Sequence, residues 1–147
     1  MKSNDQDESS VSTIRQPVRT LIVDDSMLLL SSLRQHLDKE ALVQVVGTAA
    51  NGSEALHEAD VLTPDLVLMD LNMPVMDGLQ ATALLRSRLP NTRIIIMTMD
   101  ETLQAKDAAR VHGAHGFVDK MQMPTTLMAE VRRVCSWLTG PSLAASI

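Results

Sequence analysis

The stretch LVLMDLNMPVMDGLQAT, residues 66–82, decides the fold of this chain. It begins with four apolar residues that run directly into Asp70, passes through a turn with Pro74 and Gly78, and becomes helical in pattern. A continuous apolar run that ends at a turn is typical of a strand buried on both faces, as in a parallel sheet. The stretch therefore predicts a strand–turn–helix unit with a carboxylate at the end of a buried strand.

The same alternation recurs along the rest of the chain. Between the apolar runs, apolar residues recur at the spacing of one helix face, as at Leu30, Leu33 and Leu37. Strands that alternate with helices five times predict a doubly wound α/β domain with a parallel sheet and right-handed crossovers. The five strands are predicted at residues 19–25, 43–49, 64–70, 92–98 and 114–120.

The bulk properties indicate one globular domain. The 147 residues suffice for a single core, and a net charge of −5 argues against a basic nucleic-acid face. A single cysteine fits a reducing compartment, and no apolar run approaches the length of a membrane span, so we expect a cytoplasmic protein. Polar residues 1–16 are predicted to be a disordered lead, 17–139 the folded domain and 140–147 a tail that begins Gly-Pro.

Polar side chains follow four of the predicted strands at the point where each strand ends. Asp24 and Asp25 follow the first, Asp70 the third, Thr98 the fourth and Lys120 the fifth. Sites in open α/β sheets lie at the carboxyl ends of the strands, so we expect these five side chains at one edge.

Three carboxylates in one place repel each other unless a cation joins them, and Mg²⁺ is a hard cation that prefers oxygen ligands. A carboxylate oxygen can attack phosphorus to give an aspartyl phosphate. Phosphoryl transfer needs mainly positioning and neutralised charge, which Mg²⁺, the Lys120 ammonium and the Thr98 hydroxyl can supply. These residues permit phosphoryl transfer to a carboxylate.

The chain resembles the receiver domain of two-component response regulators over about residues 18–139. The resemblance rests on IVDDS (22–26), LVLMDLNMPVMDG (66–78), IIIMT (94–98) and GAHGFVDK (113–120), in that order and spacing. It implies a flavodoxin-like fold with five helices and a five-stranded parallel sheet in the order 2-1-3-4-5. The sequence of these motifs is most similar to that of receivers that are joined to a helix-turn-helix domain.

The resemblance also implies roles for individual residues. Asp70 is then the phosphoacceptor, Thr98 the switch hydroxyl and Lys120 the cation that contacts the phosphoryl group. Phe117 takes the place of an aromatic rotamer switch, and without a phenolic hydroxyl its position depends on packing alone. The Mg²⁺ ligands are then Asp24, Asp25, Asp70 and the backbone carbonyl of Asn72.

One position departs from the family pattern. Receivers usually have proline in a cis peptide bond after the lysine, whereas Met121 follows Lys120 here. A cis bond before a residue other than proline costs about 2.5–4 kcal/mol, so we predict a trans bond and a changed loop. The direction in which the Lys120 side chain points depends on that loop.

Two helices carry further expectations. The fourth, from about Glu101 to His112, offers mainly alanines to the core, so we expect it to be the element that phosphorylation displaces. In the fifth, from Pro124 to Leu138, Trp137 lies off the apolar stripe and indicates a partner surface.

Asn72 and Asp100 flank the path of an attacking water and are expected to shorten the life of the phosphoryl group.

The resulting hypothesis is a stand-alone response regulator. Its partners are then a histidine kinase or histidine phosphotransfer protein and a downstream protein target that binds helix 4, strand 5 and helix 5; a phosphorylation-dependent homodimer is also compatible. We expect it to catalyse only its own phosphorylation and dephosphorylation. No residues after Ile147 could hold a DNA-reading domain, so we expect no nucleic-acid binding by this chain alone.

Three alternatives remain open. The chain can be the receiver fragment of a DNA-binding transcriptional regulator that lacks its output domain. It can be a phosphatase with an aspartyl nucleophile, although such enzymes need an acid where Asn72 stands. It can also be an interaction module that is never phosphorylated, although such a module has no need of three acids and Lys120.

Overall fold

The computed structural model of the chain describes residues 16–100 and 102–136. Five strands form one parallel sheet in the order β2-β1-β3-β4-β5, which confirms the predicted fold and order. The strands are β1 (Val18–Val23), β2 (Val43–Ala49), β3 (Leu66–Asp70), β4 (Arg93–Thr98) and β5 (Gly116–Asp119). The edge strand β2 has buried residues only at its two ends.

Five α-helices connect or follow the strands, as predicted. They are α1 (Met27–Leu37), α2 (Gly52–Leu62), α3 (Gly78–Arg88), α4 (Leu103–Val111) and α5 (Met123–Val134), with a 3-10 turn at Lys120–Gln122 before α5. Four of them begin at a side-chain cap that accepts a hydrogen bond from the first turn, as such residues favour. These caps are Ser26, Asn51, Asp77 and Thr102.

The sheet separates the core into two layers. Leu66 and Leu68 of β3 point to the layer that α1 and α5 cover, whereas Val67 and Met69 point to the layer that α2, α3 and α4 cover. All five β3 residues are buried, because successive strand side chains alternate between two covered faces. The continuous apolar run at residues 66–69 follows from this burial.

The two layers anchor their helices unequally. Helix α5 buries Leu127, Val131 and Val134 against the sheet, whereas the only buried side chain among the described residues of α4 is Ala109. Burial contributes about 0.8 kcal/mol per CH₂, so α4 is held less firmly than α5. The displacement of α4 by phosphorylation stays a prediction.

Two helix ends differ from the sequence-based expectation. Helix α4 begins at Leu103, because the Thr102 hydroxyl caps it. Helix α5 begins at Met123, one residue before Pro124, since proline is accommodated in the first turn. The segments 1–15 and 137–147, with Trp137, lie outside the described residues, as does Glu101.

Two predictions about the backbone and the membrane can be compared directly with the structure. No cis peptide bond occurs within residues 16–100 and 102–136, so the bond between Lys120 and Met121 is trans, as predicted. In the described part of the chain, no helix has the length and apolar character needed to cross a bilayer.

The edge strand β5 is attached to β4 by a side chain as well as by the backbone. The Ile94 N–H donates to His115 Nδ1 at 3.0 Å, and the His115 N–H donates to the Ile94 carbonyl at 2.8 Å. Burial, assisted by the charges of Arg86 and Arg93, lowers the pKa of His115 to about 4. The folded protein therefore favours the neutral ring, which can accept the Ile94 hydrogen bond.

This contact predicts a loss of stability in mild acid. The unfolded chain takes up a proton on His115 near its ordinary pKa of 6.5, whereas the folded chain does so only near 4, so the free energy of unfolding falls as pH falls from 6.5 towards 4. His115→Asn keeps an acceptor for the Ile94 N–H but does not titrate. We expect urea unfolding at pH 7 and pH 5 to differ less for this variant than for the wild type.

The matched control is His57→Asn, because the His57 side chain is exposed on α2. This variant should retain the wild-type difference between the two pH values. An equal loss of stability in His115→Asn and the wild type would contradict the assigned role of His115.

Candidate functional site

Three carboxylates meet at the carboxyl edge of the sheet. Asp24 and Asp25 follow β1 and Asp70 ends β3, and one carboxylate oxygen of each lies within 4.8 Å of the others. The Asp24 N–H donates to the Ala49 carbonyl at 3.0 Å, which extends the pairing of β1 with β2 and holds Asp24 in the sheet. Asp24 and Asp70 are buried, whereas Asp25 is exposed.

Lys120 bridges the two buried acids. Its Nζ lies 2.7 Å from Asp24 Oδ2 and 2.9 Å from Asp70 Oδ1, and its side chain is 16% exposed. The 3-10 turn after β5 aims the side chain at the cluster, although Met121 stands where receivers usually have proline. The trans bond therefore does not prevent Lys120 from reaching the acids.

Burial changes the protonation equilibria of the site. Burial raises the pKa of Asp70 above its ordinary value, and the charges of Asp24 and Asp25 add to this, while the hydrogen bond from Lys120 opposes it. Burial alone would lower the pKa of Lys120, but its hydrogen bonds to Asp24 and Asp70 outweigh this and raise it. The cluster thus holds Lys120 as a cation and has unbalanced negative charge.

The loop between β3 and α3 turns sharply behind Asp70. The Gly78 N–H donates to the Leu71 carbonyl at 2.9 Å, and a Cβ on Gly78 would collide with the Asp70 carbonyl oxygen. Only glycine permits this approach, so Gly78 lets the loop close against the strand end. Asn72 lies exposed in this loop, two residues after Asp70.

Val75, in the same loop, adopts an unusual backbone conformation. Its φ of 71° lies in the left-handed region, and the Met76 N–H donates to the Pro74 carbonyl at 2.7 Å across it. A β-branched residue rarely adopts this conformation, and sequence reasoning did not single out Val75. No signal in the sequence distinguishes it from a residue in an ordinary turn.

Thr98 is buried at the end of β4 and is tied to the start of α4. The Asp100 N–H donates to Thr98 Oγ1 at 3.0 Å, and the Thr102 N–H donates to Asp100 Oδ1 at 2.9 Å. The Ala105 N–H then donates to Thr102 Oγ1 at 3.1 Å, which caps the helix. Because Thr98 Oγ1 is an acceptor here, its hydroxyl hydrogen can be donated to another group.

The Asp100 carboxylate therefore accepts a hydrogen bond within the turn before α4. Its hydrogen bonds from Thr102 hold its pKa below the ordinary value. Its position two residues after Thr98 was expected to orient a water molecule, and that role stays a prediction. The cap at Thr102 was not singled out from the sequence, although a threonine before a helical segment is the signal for it.

Phe117 lies away from the acids, on the surface that α4, β5 and α5 form. Its ring is partly buried, Lys106 Nζ lies 5.6 Å from the ring centroid, and its N–H donates to Glu130 Oε2 at 3.0 Å. A groove of about 290 Å³ adjoins it, also lined by Arg133. The cation–π contact adds to the packing that was expected to hold the ring.

Most of the sequence-predicted site residues thus lie together. The three acids and Lys120 form one cluster, and Thr98 ends the strand next to β3. Asn72 lies in the exposed loop, and Phe117 pairs with Ile96 on the neighbouring strand. Three carboxylates with one bridging lysine suit a hard divalent cation, because oxygen ligands and surplus negative charge are what such a cation requires.

Comparisons with known proteins agree with this geometry. The receiver domain model of response regulators matches residues 20–132. The nitrate/nitrite response regulator protein NarL of Escherichia coli K12 is 32% identical over 139 residues, which cover 90% of this chain and 64% of NarL. A protein-glutamate methylesterase/protein-glutamine glutaminase of Methanococcoides burtonii is 37% identical over 105 residues, which cover 70% of this chain and 30% of that protein.

A solved structure extends the comparison to the fold. The signal receiver domain of a response regulator NarL from Mycobacterium tuberculosis has a TM-score of 0.75 and 33% identity, with 80% of this chain and 95% of that domain covered. The chain thus spans less than two thirds of these two curated relatives but nearly all of an isolated receiver domain. This chain belongs to the response regulator receiver domain family.

Proposed function

We propose that Asp70 accepts a phosphoryl group from a phosphohistidine of a histidine kinase or histidine phosphotransfer protein. The observation that carries this proposal is the Lys120 ammonium 2.7 Å from Asp24 and 2.9 Å from Asp70, beside Asp25. Receiver domains are phosphoacceptor switches that interact with such kinases and phosphotransfer proteins. The position of Asp70 at a strand end, with a cation beside it, supports this role.

In the transfer step, an Asp70 carboxylate oxygen attacks phosphorus while the bond from phosphorus to the donor nitrogen breaks. The electron pair of that bond stays on the imidazole nitrogen, and Asp70 becomes an acyl phosphate. Lys120 moves its charge from the Asp70 carboxylate to the phosphoryl oxygens without losing its contact with Asp24. Thr98 can donate its hydroxyl hydrogen to another phosphoryl oxygen.

The same cluster is suited to Mg²⁺, which receiver domains bind at an acidic pocket. Asp24, Asp25, Asp70 and the backbone carbonyl of Asn72 are the residues we propose as its ligands in this chain. A bound Mg²⁺ would supply positive charge to the phosphoryl oxygens during transfer. The formal charges support the proposal, because three carboxylates face one ammonium and leave negative charge that Lys120 alone does not balance.

Phosphorylation is proposed to act through Thr98. If the hydroxyl turns towards the phosphoryl group, the hydrogen bond from the Asp100 N–H is lost, and with it one link between β4 and the start of α4. Because α4 buries little apolar surface, this loss favours its displacement. The surface of α4, β5 and α5 around Phe117 would then change for a downstream protein target.

A second proposal concerns the whole protein. The chain spans 64% of NarL of E. coli, so it is also compatible with being the receiver of a longer regulator with a DNA-binding output domain. In either case we propose that this chain catalyses only its own phosphorylation and dephosphorylation. The length of the natural protein distinguishes the two.

The phosphoacceptor assignment is tested with a small phosphodonor. Incubation with acetyl phosphate and Mg²⁺ should add one labile phosphoryl group to the wild type, measured by intact mass, and none to Asp70→Asn. Asp77→Asn is the matched control, because Asp77 lies exposed in the same loop and asparagine retains its helix cap. A phosphoryl group on the Asp70 variant would contradict the assignment.

The metal assignment is tested by measuring how much Mg²⁺ stabilises the folded protein. Mg²⁺ should stabilise the wild type and raise its unfolding temperature. At a Mg²⁺ concentration about 100 times the dissociation constant, the added free energy of unfolding should be ~2.7 kcal/mol. Asp24→Asn should lose most of this gain, and a chelator should reverse it. Asp60→Asn is the control, because Asp60 pairs with Arg88 on α3, away from the cluster; an equal gain in Asp24→Asn would exclude Asp24 as a ligand.

The weak attachment of α4 is tested by hydrogen exchange. Thr102→Ala removes the acceptor for the Ala105 N–H, and loss of such a cap costs ~1 kcal/mol, so α4 amides should exchange about fivefold faster. Amides of α5 should not change. Ser26→Ala is the matched control, because it removes the cap of α1 and should leave α4 unaffected. Equal protection of α4 and α5 in the unmodified protein would count against the proposed displacement.

A further inference from the structure

The connection between β2 and α2 contacts both of the outer segments that carry proposed Mg²⁺ ligands. It runs from Ala49, the last residue of β2, to Gly52, the first residue of α2, and is called the β2–α2 link. The Ala49 carbonyl accepts a hydrogen bond from the Asp24 N–H at 3.0 Å. The Gly52 N–H donates to the Met76 carbonyl at 3.0 Å, in the loop that contains Asn72. The link is thus hydrogen-bonded to the Asp24 segment and to the Asn72 loop.

The link approaches the loop so closely that a side chain does not fit at its end. A Cβ on Gly52 would lie 2.6 Å from the Met76 carbonyl oxygen and 2.9 Å from the Met76 Cβ. Non-bonded carbon and oxygen atoms do not pack this closely, so a Cβ at residue 52 would push the Met76 carbonyl away. The distance between the link and the loop therefore depends on glycine at this position.

The loop needs contacts from outside to keep its shape. Val75 has a left-handed φ of 71°, which is unfavourable for a β-branched residue, and it is 82% exposed, so it gains little from packing. Backbone in such a conformation persists only where its surroundings impose it. The Gly52 N–H donates to the carbonyl of the next residue, Met76, whose side chain packs against the core layer that α2 covers. The link is therefore one of the contacts that hold the strained part of the loop.

The link is itself fixed at the start of α2. Asn51 Oδ1 accepts from the Glu54 N–H at 2.9 Å, and Glu54 Oε1 accepts from the Ala50 N–H at 2.9 Å. Reciprocal bonds of this kind between a cap and the first turn fix the way in which a chain enters its helix. Gly52 lies between these bonded residues, so its N–H has a fixed direction towards Met76.

We propose that the β2–α2 link positions the metal site, because it holds the Asp24 segment and the Asn72 loop at the spacing that Mg²⁺ requires. The inference rests on the proposed function, in which the Asp24 carboxylate and the Asn72 carbonyl bind Mg²⁺. Gly52 acts through the Met76 carbonyl and is a positioning residue, not a ligand. Mg²⁺ requires near-ideal octahedral geometry with short bonds to oxygen, whereas Ca²⁺ accepts longer bonds and varied geometry. The link should therefore matter for Mg²⁺ more than for Ca²⁺.

The experiment measures the dissociation constants of both ions by isothermal titration calorimetry. In Gly52→Ala, the added Cβ displaces the Met76 carbonyl and with it the Asn72 loop. The dissociation constant of Mg²⁺ should rise about tenfold, equivalent to ~1.4 kcal/mol, while that of Ca²⁺ stays within about twofold of the wild type. A role in folding alone would lower the unfolding temperature without changing the preference between the two ions.

The matched control is Gly47→Ala. Gly47 lies within β2, where an added Cβ would meet the end of the Leu62 side chain at 2.8 Å and not the loop. This variant carries the same substitution and should bind both ions as the wild type does, whatever its unfolding temperature. If Gly52→Ala binds Mg²⁺ as Gly47→Ala does, or loses affinity for both ions equally, the inference is overturned.

A second pair of variants loosens the link without a new Cβ beside the loop, and it serves where Gly52→Ala does not fold. Glu54→Ala removes the acceptor of the Ala50 N–H and should raise the dissociation constant of Mg²⁺ about threefold. Glu54→Gln retains an acceptor and should bind Mg²⁺ more tightly than Glu54→Ala. Both variants remove the same charge, so a difference between them reports the hydrogen bond. Equal affinities in the two variants would contradict the role of the link.

The outcomes also separate this inference from the proposed function. A wild type that binds Mg²⁺, with variants of Gly52 and Glu54 that bind it equally well, would overturn the role of the link and leave the metal site in place. A wild type that binds no Mg²⁺ would overturn both. Loss of Mg²⁺ affinity with retained Ca²⁺ affinity in Gly52→Ala would support both.

Discussion

The contact of the Lys120 ammonium with Asp24 and Asp70 is the interaction on which the site depends. Removing one partner from a buried ion pair leaves a charge uncompensated in the interior. Lys120 lies 96 residues from Asp24 in sequence, so the contact forms only when β5 and β1 occupy their places in the same sheet. Burial, to which the charges of Asp24 and Asp25 add, raises the pKa of Asp70. The surplus of negative charge makes the cluster suitable for Mg²⁺.

The helices are anchored to the sheet unequally, which bears on how the charge cluster can act on them. Leucine and valine side chains hold α5 against the sheet, whereas α4 contributes mainly alanine. Short side chains bury little area, so the free energy needed to move α4 is small. The hydrogen-bonded residues Thr98, Asp100 and Thr102 connect α4 to the strand end beside Asp70. This connection is the reason for the proposal that a change at Asp70 acts on α4.

The turn from Thr98 to Thr102 combines hydrogen bonds with exposed apolar side chains. Met99 and Leu103 are exposed at this turn, through which the hydrogen bonds from Thr98 to Thr102 run. On the other side of α4, Glu130 and Arg133 of α5 hold the edge strand by accepting from the Phe117 N–H and donating to the His115 carbonyl. Side chains thus satisfy backbone groups that an edge strand leaves unpaired.

The sequence by itself determined the sheet, the helices and the residues of the acidic cluster. Apolar runs show where strands are buried, and parallel strands bring Asp24, Asp70 and Lys120 to one edge whatever the details of packing. Only the tertiary structure decided that Asp24 is buried and Asp25 exposed, that Lys120 bridges two acids without the usual proline, and that Val75 points outward. These features depend on backbone torsions and side-chain directions, which contacts between residues distant in sequence impose and local patterns do not record.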